Sequence, residues 1–377
     1  MLIGVDASRA GLAQRTGTEN YSLHLIRELL ALGSAHWFRL YFNRAPASGL
    51  FARADQVRVI PFPRLWTHLR LSWEMLQVPP DLLFVPSHVL PLVTPRLTVV
   101  TVHDLGYHYF PRAHTLFQNL YLRWSTRYNA RTATRVLADS EATRHDLVRH
   151  YGTDPDKVHV VYPGRNEELA PITDPEILAG VRGRYGLRQD YFLYVGTLQP
   201  RKNLVRLVRA YAGLLGAPEW GAGALVAPPQ LVLAGRKGWL YESILAEVRR
   251  LGLTGHVAFT GYVPDADLAP LLSGARAFLF PSLYEGFGFP VLEAMACGTP
   301  VACSNVSSLP EVAGNAALQV DPTDVDGLTE AMARLLGDEG LRQTLVERGF
   351  RQIQHFSWQR CAREVMQVFE ESGHAFA

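Results

Sequence analysis

Short runs of β-branched and aromatic residues alternate with longer amphipathic ones along this chain, in two successive series, and that alternation leaves few folds open. Residues 2–5, 38–42, 57–60, 82–85, 97–102, 135–138 and 158–161 read as strands in the first half. Residues 191–195, 230–234, 256–260, 277–280 and 300–302 do so in the second. Helical periodicity falls between them, most plainly over 20–32, 115–131 and 140–150, where Ser140 caps the last and Glu141 complements its dipole. Strand and helix alternating twice over predict an α/β protein of two doubly wound domains, each a parallel sheet flanked by helices. At 377 residues the chain suits two cores better than one. The stretch 163–174 breaks the periodicity with Pro, Gly and polar residues and marks the junction, giving domains at 1–168 and 169–356. Residues 213–229, rich in Gly, Ala and Pro, read as a surface loop.

Composition narrows the function. With 48% apolar and 19% charged residues the chain is an ordinary globular protein, and 37 basic against 35 acidic residues disfavour a nucleic-acid binder held by a general positive field. The balance hides an asymmetry: 19 basic and 12 acidic residues up to Arg165, then 18 and 23. A basic first half suits an anionic lipid surface or phosphorylated substrates, and equally a scattered solvated surface. Cys297, Cys303 and Cys361 have neither zinc spacing nor an even disulfide framework, so a reducing compartment is expected. The N-terminus opens directly as a strand and no apolar run is long enough to span a bilayer, so a cytoplasmic protein is expected. Peripheral membrane contact stays open at 64–73 (RLWTHLRLSW), which reads either as an interfacial helix or as one packing its Leu and Trp face inward.

The chemistry concentrates in 280–301, FPSLYEGFGFPVLEAMACGTPV. Glu285 and Glu293 stand eight positions apart, with Gly286 and Gly288 between them at a helix start that follows a buried strand. Such glycines let a ligand approach free backbone N–H groups, which suits a phosphorylated sugar. A dinucleotide fingerprint needs a third glycine where Val291 stands, which disfavours a nicotinamide or flavin enzyme. A glycosidase pair is also disfavoured. Eight helical positions separate the two backbones by roughly 12 Å, whereas hydrolase carboxylates lie roughly 5 to 9.5 Å apart. In 194–204, YVGTLQPRKNL, Arg201 and Lys202 stand between a strand end and a helix start, as a phosphate site requires. The chain has only three lysines, Lys157, Lys202 and Lys237, so a compact point charge at 202 suits a leaving diphosphate, the alternative being a solvated pair of turn cations. His103 and Asp104 fall just past the strand 97–102; a site role and a plain turn role stand level there. His88 and His108 receive no role. The loop 10–20 carries Gly11 and Gly17, either of which suits a phosphate approach or a flexible turn.

Together these stretches resemble the retaining glycosyltransferases of family 4, with the GT-B fold. The resemblance spans almost the whole chain and rests on Glu285 and Glu293 in E-x7-E, GTLQPRKN, LVLAGRKGW (231–239), FTGYVPDADL (259–268) and the closing FSW (356–358). It implies two Rossmann-like domains facing a cleft, the acceptor on the first, a nucleotide sugar on the second, and a last helix (357–377) crossing back to the first domain. It further implies that Glu293 binds ribose hydroxyls and Glu285 contacts the transferring sugar. Gly286 and the backbone at Phe287, Gly288 and Phe289 would meet that sugar's hydroxyls and phosphate. Arg201 and Lys202 would hold the diphosphate, Tyr262 and Val263 would lie along the base, Gly17 near the phosphate or acceptor, and His103 beside the sugar. Several members carry a further cation after the glycine matching Gly196; this chain has Thr197, which puts more weight on Arg201 and Lys202. No metal and no cofactor beyond the nucleotide sugar are implied. The GTLQPRKN and GRKGW wording is similar to mannosyltransferase-like members that build surface polysaccharides from GDP-mannose on glycan or lipid-linked acceptors. A nucleotide-sugar epimerase, a non-catalytic nucleotide-sugar binding protein and a hydrolase are the rivals.

Overall fold

The computed structural model describes residues 1–12, 17–87, 89–216 and 228–374. Part of the first loop (13–16), His88 and most of the loop expected at 213–229 lie outside the described residues. The chain divides into two compact units, Met1–Gly164 with Phe356–Ala377, and Arg165–His355.

In the first unit the strands are β1 (Leu2–Asp6), β2 (Trp37–Phe42), β3 (Gln56–Val59), β4 (Leu82–Val85), β5 (Leu97–Val102), β6 (Arg135–Ala138) and β7 (Val158–Val160). They form one sheet in the order β3-β2-β1-β4-β5-β6-β7, every pair parallel. Ile3 pairs with Phe38 on one side and Leu82 on the other. Strands covered on both faces read as continuous apolar runs, as all four residues of β4 do. The helix Gly17–Ala31 follows β1 and packs against the last helix, Trp358–His374. That helix buries Trp358, Cys361, Val365, Met366 and Phe369, the ring of Phe369 lying 5.1 Å from that of Phe84. At Gly164 a Cβ would lie 2.3 Å from the Trp358 nitrogen, so only glycine lets the two chain segments pass.

In the second unit β8 (Tyr191–Val195), β9 (Gln230–Ala234), β10 (Val257–Gly261), β11 (Ala277–Phe280), β12 (Val301–Ser304) and β13 (Ala317–Val320) are again all parallel, ordered β10-β9-β8-β11-β12-β13. The sequence reading contains no strand at β13. ALQV is an edge strand with Gln319 exposed, and it lacks the apolar run that identified its neighbours.

The segment 64–73 answers to neither single expectation for it. It forms a π-helical turn, Trp66–Leu71, running into the helix Ser72–Gln77; Trp66, Leu71 and Met75 are buried while Leu65, Leu69 and Trp73 are exposed. Among the described residues no helix is long and apolar enough to cross a membrane. The three cysteines are free and buried.

Candidate functional site

Strand order reverses between β8 and β11, and a parallel sheet opens a crevice outside the carboxyl ends of its strands at such a point. Two segments meet there. The chain leaving β8 makes a 3-10 turn, Pro200–Lys202, and the chain leaving β11 runs through Ser282 to Glu285 before the helix Phe289–Ala296. Asn203 ends the 3-10 turn in the left-handed region at φ 61°, and its side-chain amide donates to the carbonyls of Pro281 (3.1 Å) and Pro322 (2.6 Å). This pins the turn to the end of β11. The Leu283 N–H then donates to the Arg201 carbonyl at 2.9 Å.

These ties bring Arg201, Lys202 and Glu285 together. Arg201 Nη1 donates to the Tyr284 carbonyl (2.5 Å) and to Glu285 Oε2 (2.8 Å), and Lys202 Nζ donates to Glu285 Oε1 at 2.5 Å. Lys202 also lies over the Phe280 ring, 4.9 Å from its centre. Burial acts to raise the Glu285 carboxyl, but the two cations outweigh it and hold the pKa below the usual value, so the acid is ionised. Two positive charges and one negative leave an excess cation at the mouth of the sheet.

The loop between the two acids is held from behind. The Glu285 N–H donates to Ser307 Oγ (3.0 Å), and Ser308 Oγ donates to the carbonyls of Glu285 and Phe287. Gly288 takes φ 130°, and a Cβ there would meet Leu309 at 2.8 Å, so this turn excludes side chains on both conformational and steric grounds. Phe287 is buried and packs edge-on against Phe289 at 5.0 Å. Together they fix the start of the helix Phe289–Ala296, where Pro290 carries no N–H and the Val291 N–H donates to the Gly288 carbonyl at 3.0 Å.

Glu293 is half-buried on that helix and is electrostatically coupled to Asp265, the first residue of the helix Asp265–Ser273. Burial first, and the Asp265 charge second, push its pKa up to about 7. Tyr262 and Val263 lead into that same helix; Tyr262 is exposed, with the Arg236 guanidinium 4.5 Å from its ring centre. Glu293, Tyr262 and Val263 thus share one neighbourhood through Asp265. No hydrogen bond or ion pair described for the unit joins Glu293 to Glu285.

His103 and Gly17 belong to the first unit. Gly17 is exposed at the first position of its helix, where a Cβ would meet nothing within 4 Å. His103 follows β5 and is fully engaged: Nδ1 lies 2.7 Å from Asp139 Oδ2, Nε2 lies 3.0 Å from the Pro86 carbonyl, and Tyr21 packs edge-on at 4.8 Å. Both nitrogens face acceptors, so the ring donates from both. Burial acts to lower its pKa, but the Asp139 carboxylate outweighs it and holds the imidazole above its usual value.

Four residues of this framework escape a sequence reading. Asp139, Asn203, Ser307 and Ser308 each act through one tertiary hydrogen bond or more. Of these only Asn203 carries a signal, since Asn tolerates the left-handed conformation between a turn and a helix.

Residues 184–352 match the model of the glycosyl transferases group 1, and residues 15–169 that of Glycosyltransferase Family 4. The chain is 34% identical over 94% of its length to the O-antigen chain mannosyltransferase B of Escherichia coli, covering 96% of that protein. Among solved structures, the sucrose-phosphate synthase of Thermosynechococcus elongatus superposes with a TM-score of 0.73 at 21% identity, 99% of each chain being covered. Anabaena HepE, in complex with UDP and glucose, gives 0.71 at 19% identity over 98% of this chain and 99% of its own. At such identities these two structures establish the fold, a two-domain GT-B architecture.

Proposed function

Because the chain belongs to glycosyltransferase family 4, we propose that it moves a hexose, mannose from GDP-mannose, to a glycan or lipid-linked acceptor in surface polysaccharide synthesis. Transfer proceeds with retention of anomeric configuration and without a metal. The observation that carries this reading is the Arg201, Lys202 and Glu285 cluster at the strand-order reversal of the second unit. A departing diphosphate needs positive charge in place before the bond breaks, and Arg201 and Lys202, with the positive end of the helix Phe289–Ala296, supply it. Glu285 then takes the sugar hydroxyls and Glu293 the ribose hydroxyls, while a phosphate oxygen accepts the acceptor's proton on the face the diphosphate leaves. The choice of mannose is supported by the O-antigen mannosyltransferase relative. A cytoplasmic location with peripheral contact to the inner face of a membrane, through the first unit, belongs to the same reading.

Labelled GDP-mannose, UDP-glucose and ADP-glucose, each incubated with and without lipid-linked or glycan acceptors, test it. Labelled product that needs both GDP-mannose and an acceptor, with the α-anomer retained, is the expected result. An altered sugar formed without acceptor would instead assign an epimerase. Free sugar released as fast as donor is consumed would assign a hydrolase.

A further inference from the structure

The helix Leu116–Thr132 in the first unit turns a largely polar face inward, with Leu122 and Tyr128 packing against the core, and leaves its N-terminal apolar residues outside. Its buried residues are Asn119, Ser125, Thr126, Asn129 and Ala130, four of them polar, while Leu116, Phe117 and Leu120 are 87%, 79% and 66% exposed. The orientation is fixed from within. Asn129 Oδ1 accepts the Leu90 N–H at 3.0 Å and Asn119 Nδ2 donates to the Tyr107 carbonyl at 3.1 Å, so rotating the helix to bury Leu116 and Leu120 would strand both amides. Thr115 and Gln118 close a capping box immediately before the apolar turn, which makes that end of the helix firm. Tyr121 and Trp124 continue the outward face from Phe117 at helical spacing. His68 secures the π-helical turn beside it, hydrogen-bonded to Tyr121 Oη at 2.9 Å with its ring 5.6 Å from that of Trp124, and Leu65 and Leu69 on that turn are exposed too.

Charge follows the same surface. Residues 56–73 and 105–138 contain eight arginines and no aspartate or glutamate. Arg58 and Arg70 are taken up by Glu74, whereas Arg64, Arg112, Arg123, Arg127 and Arg131 are exposed. Arg123, Arg127 and Arg131 prolong the stripe that Leu116 and Leu120 begin, each at helical spacing from the last.

We propose that this face docks on an anionic bilayer, with Leu116, Phe117 and Leu120 entering the boundary between headgroups and acyl chains and Arg123, Arg127 and Arg131 meeting lipid phosphates. A second copy of the chain fits less well, because a two-fold contact would set this acid-free arginine stripe against itself. The proposal gives the peripheral contact of the transfer reading a defined surface. It is tested without sugar, so its failure leaves that reading standing.

The full chain is sedimented with extruded vesicles of phosphatidylglycerol and phosphatidylethanolamine, and with neutral phosphatidylcholine vesicles. Binding to the anionic vesicles, weakened by added salt, is expected. It should fall about tenfold in Leu116→Ser/Phe117→Ser/Leu120→Ser and severalfold in Arg127→Gln/Arg131→Gln, with unchanged melting temperatures; Arg123 is left in place because its Nε donates to Asn119 Oδ1 at 2.8 Å and helps hold the helix. Equal binding to neutral vesicles, or none to either, overturns the proposal. So does a wild-type dimer in solution that the serine variant alone converts to monomer, which would give this face to a second copy.

Discussion

Glu285 offsets part of the positive charge that a diphosphate would need, so the acid and the leaving group compete for the same two cations. Replacing it by glutamine should therefore have opposite effects on binding and turnover. Glu285→Gln is expected to bind a nucleoside diphosphate several-fold tighter by calorimetry, while kcat falls about a hundredfold with the loss of the sugar contact. Lys202→Ala should lower kcat by about 10²- to 10³-fold at saturating donor, and near wild-type turnover would remove Lys202 from the leaving-group role. Glu293 gives a pH signature. Its pKa is pushed up to about 7, and ribose hydroxyls donate best to the ionised form, so donor affinity should fall as pH drops through about 7. Asp265→Asn removes one of the two causes of that elevation and should move the fall to lower pH; an unmoved profile would dissociate Glu293 from donor binding. These acids and cations were legible in the sequence because charge beside glycine, at a strand end, has a chemical reading. Asp139 and Ser308 were not, since a carboxylate steering a histidine and a hydroxyl holding a loop are recognisable only once the fold supplies the partner.

The elements themselves were nearly all legible, for a physical reason. Strands covered on both faces are near-continuous runs of apolar and β-branched residues, and β4, β5, β8 and β9 are read to their end residues chiefly from that. The element that escaped, β13, is an edge strand with Gln319 exposed, and for the helix Leu116–Thr132 the periodicity locates the element without showing that Asn119 and Asn129 face inward. At this scale the decisive connection is the Asn203 turn, which joins the end of β8 to that of β11. Asn203→Gly keeps the left-handed backbone free of strain but loses both amide bonds to Pro281 and Pro322; Asn203→Ala loses the bonds and adds the cost of a left-handed Cβ, about 1 kcal/mol. Urea unfolding should place Gly between wild type and Ala. Equal losses in the two variants would show that the conformation at 203 contributes nothing.

Two sheets with separate cores, joined where the chain passes from Gly164 to Arg165 and again from His355 to Phe356, make each unit a candidate for its own unfolding transition. The proposed donor site draws its charged groups from the second unit, so nucleotide should stabilise that transition alone, by about 2.7 kcal/mol at a hundredfold excess over Kd. The last helix belongs to the other transition. Ending the chain before Trp358 deletes Val365, Met366 and Phe369 from the first unit's core and frees the helix Gly17–Ala31 on the side it presents to Trp358–His374. Each buried side chain of that size is worth about 1.5 to 3 kcal/mol, so the first unit should lose most or all of its stability while the second keeps its own. Hydrogen exchange read by mass spectrometry resolves the two: GDP should slow exchange in β8, β11 and the helix Phe289–Ala296, and truncation should speed it in β1, β4 and β5. If truncation and nucleotide instead shift exchange throughout both sheets together, the molecule unfolds as one cooperative body, and the loss of the last helix would then weaken donor binding as well.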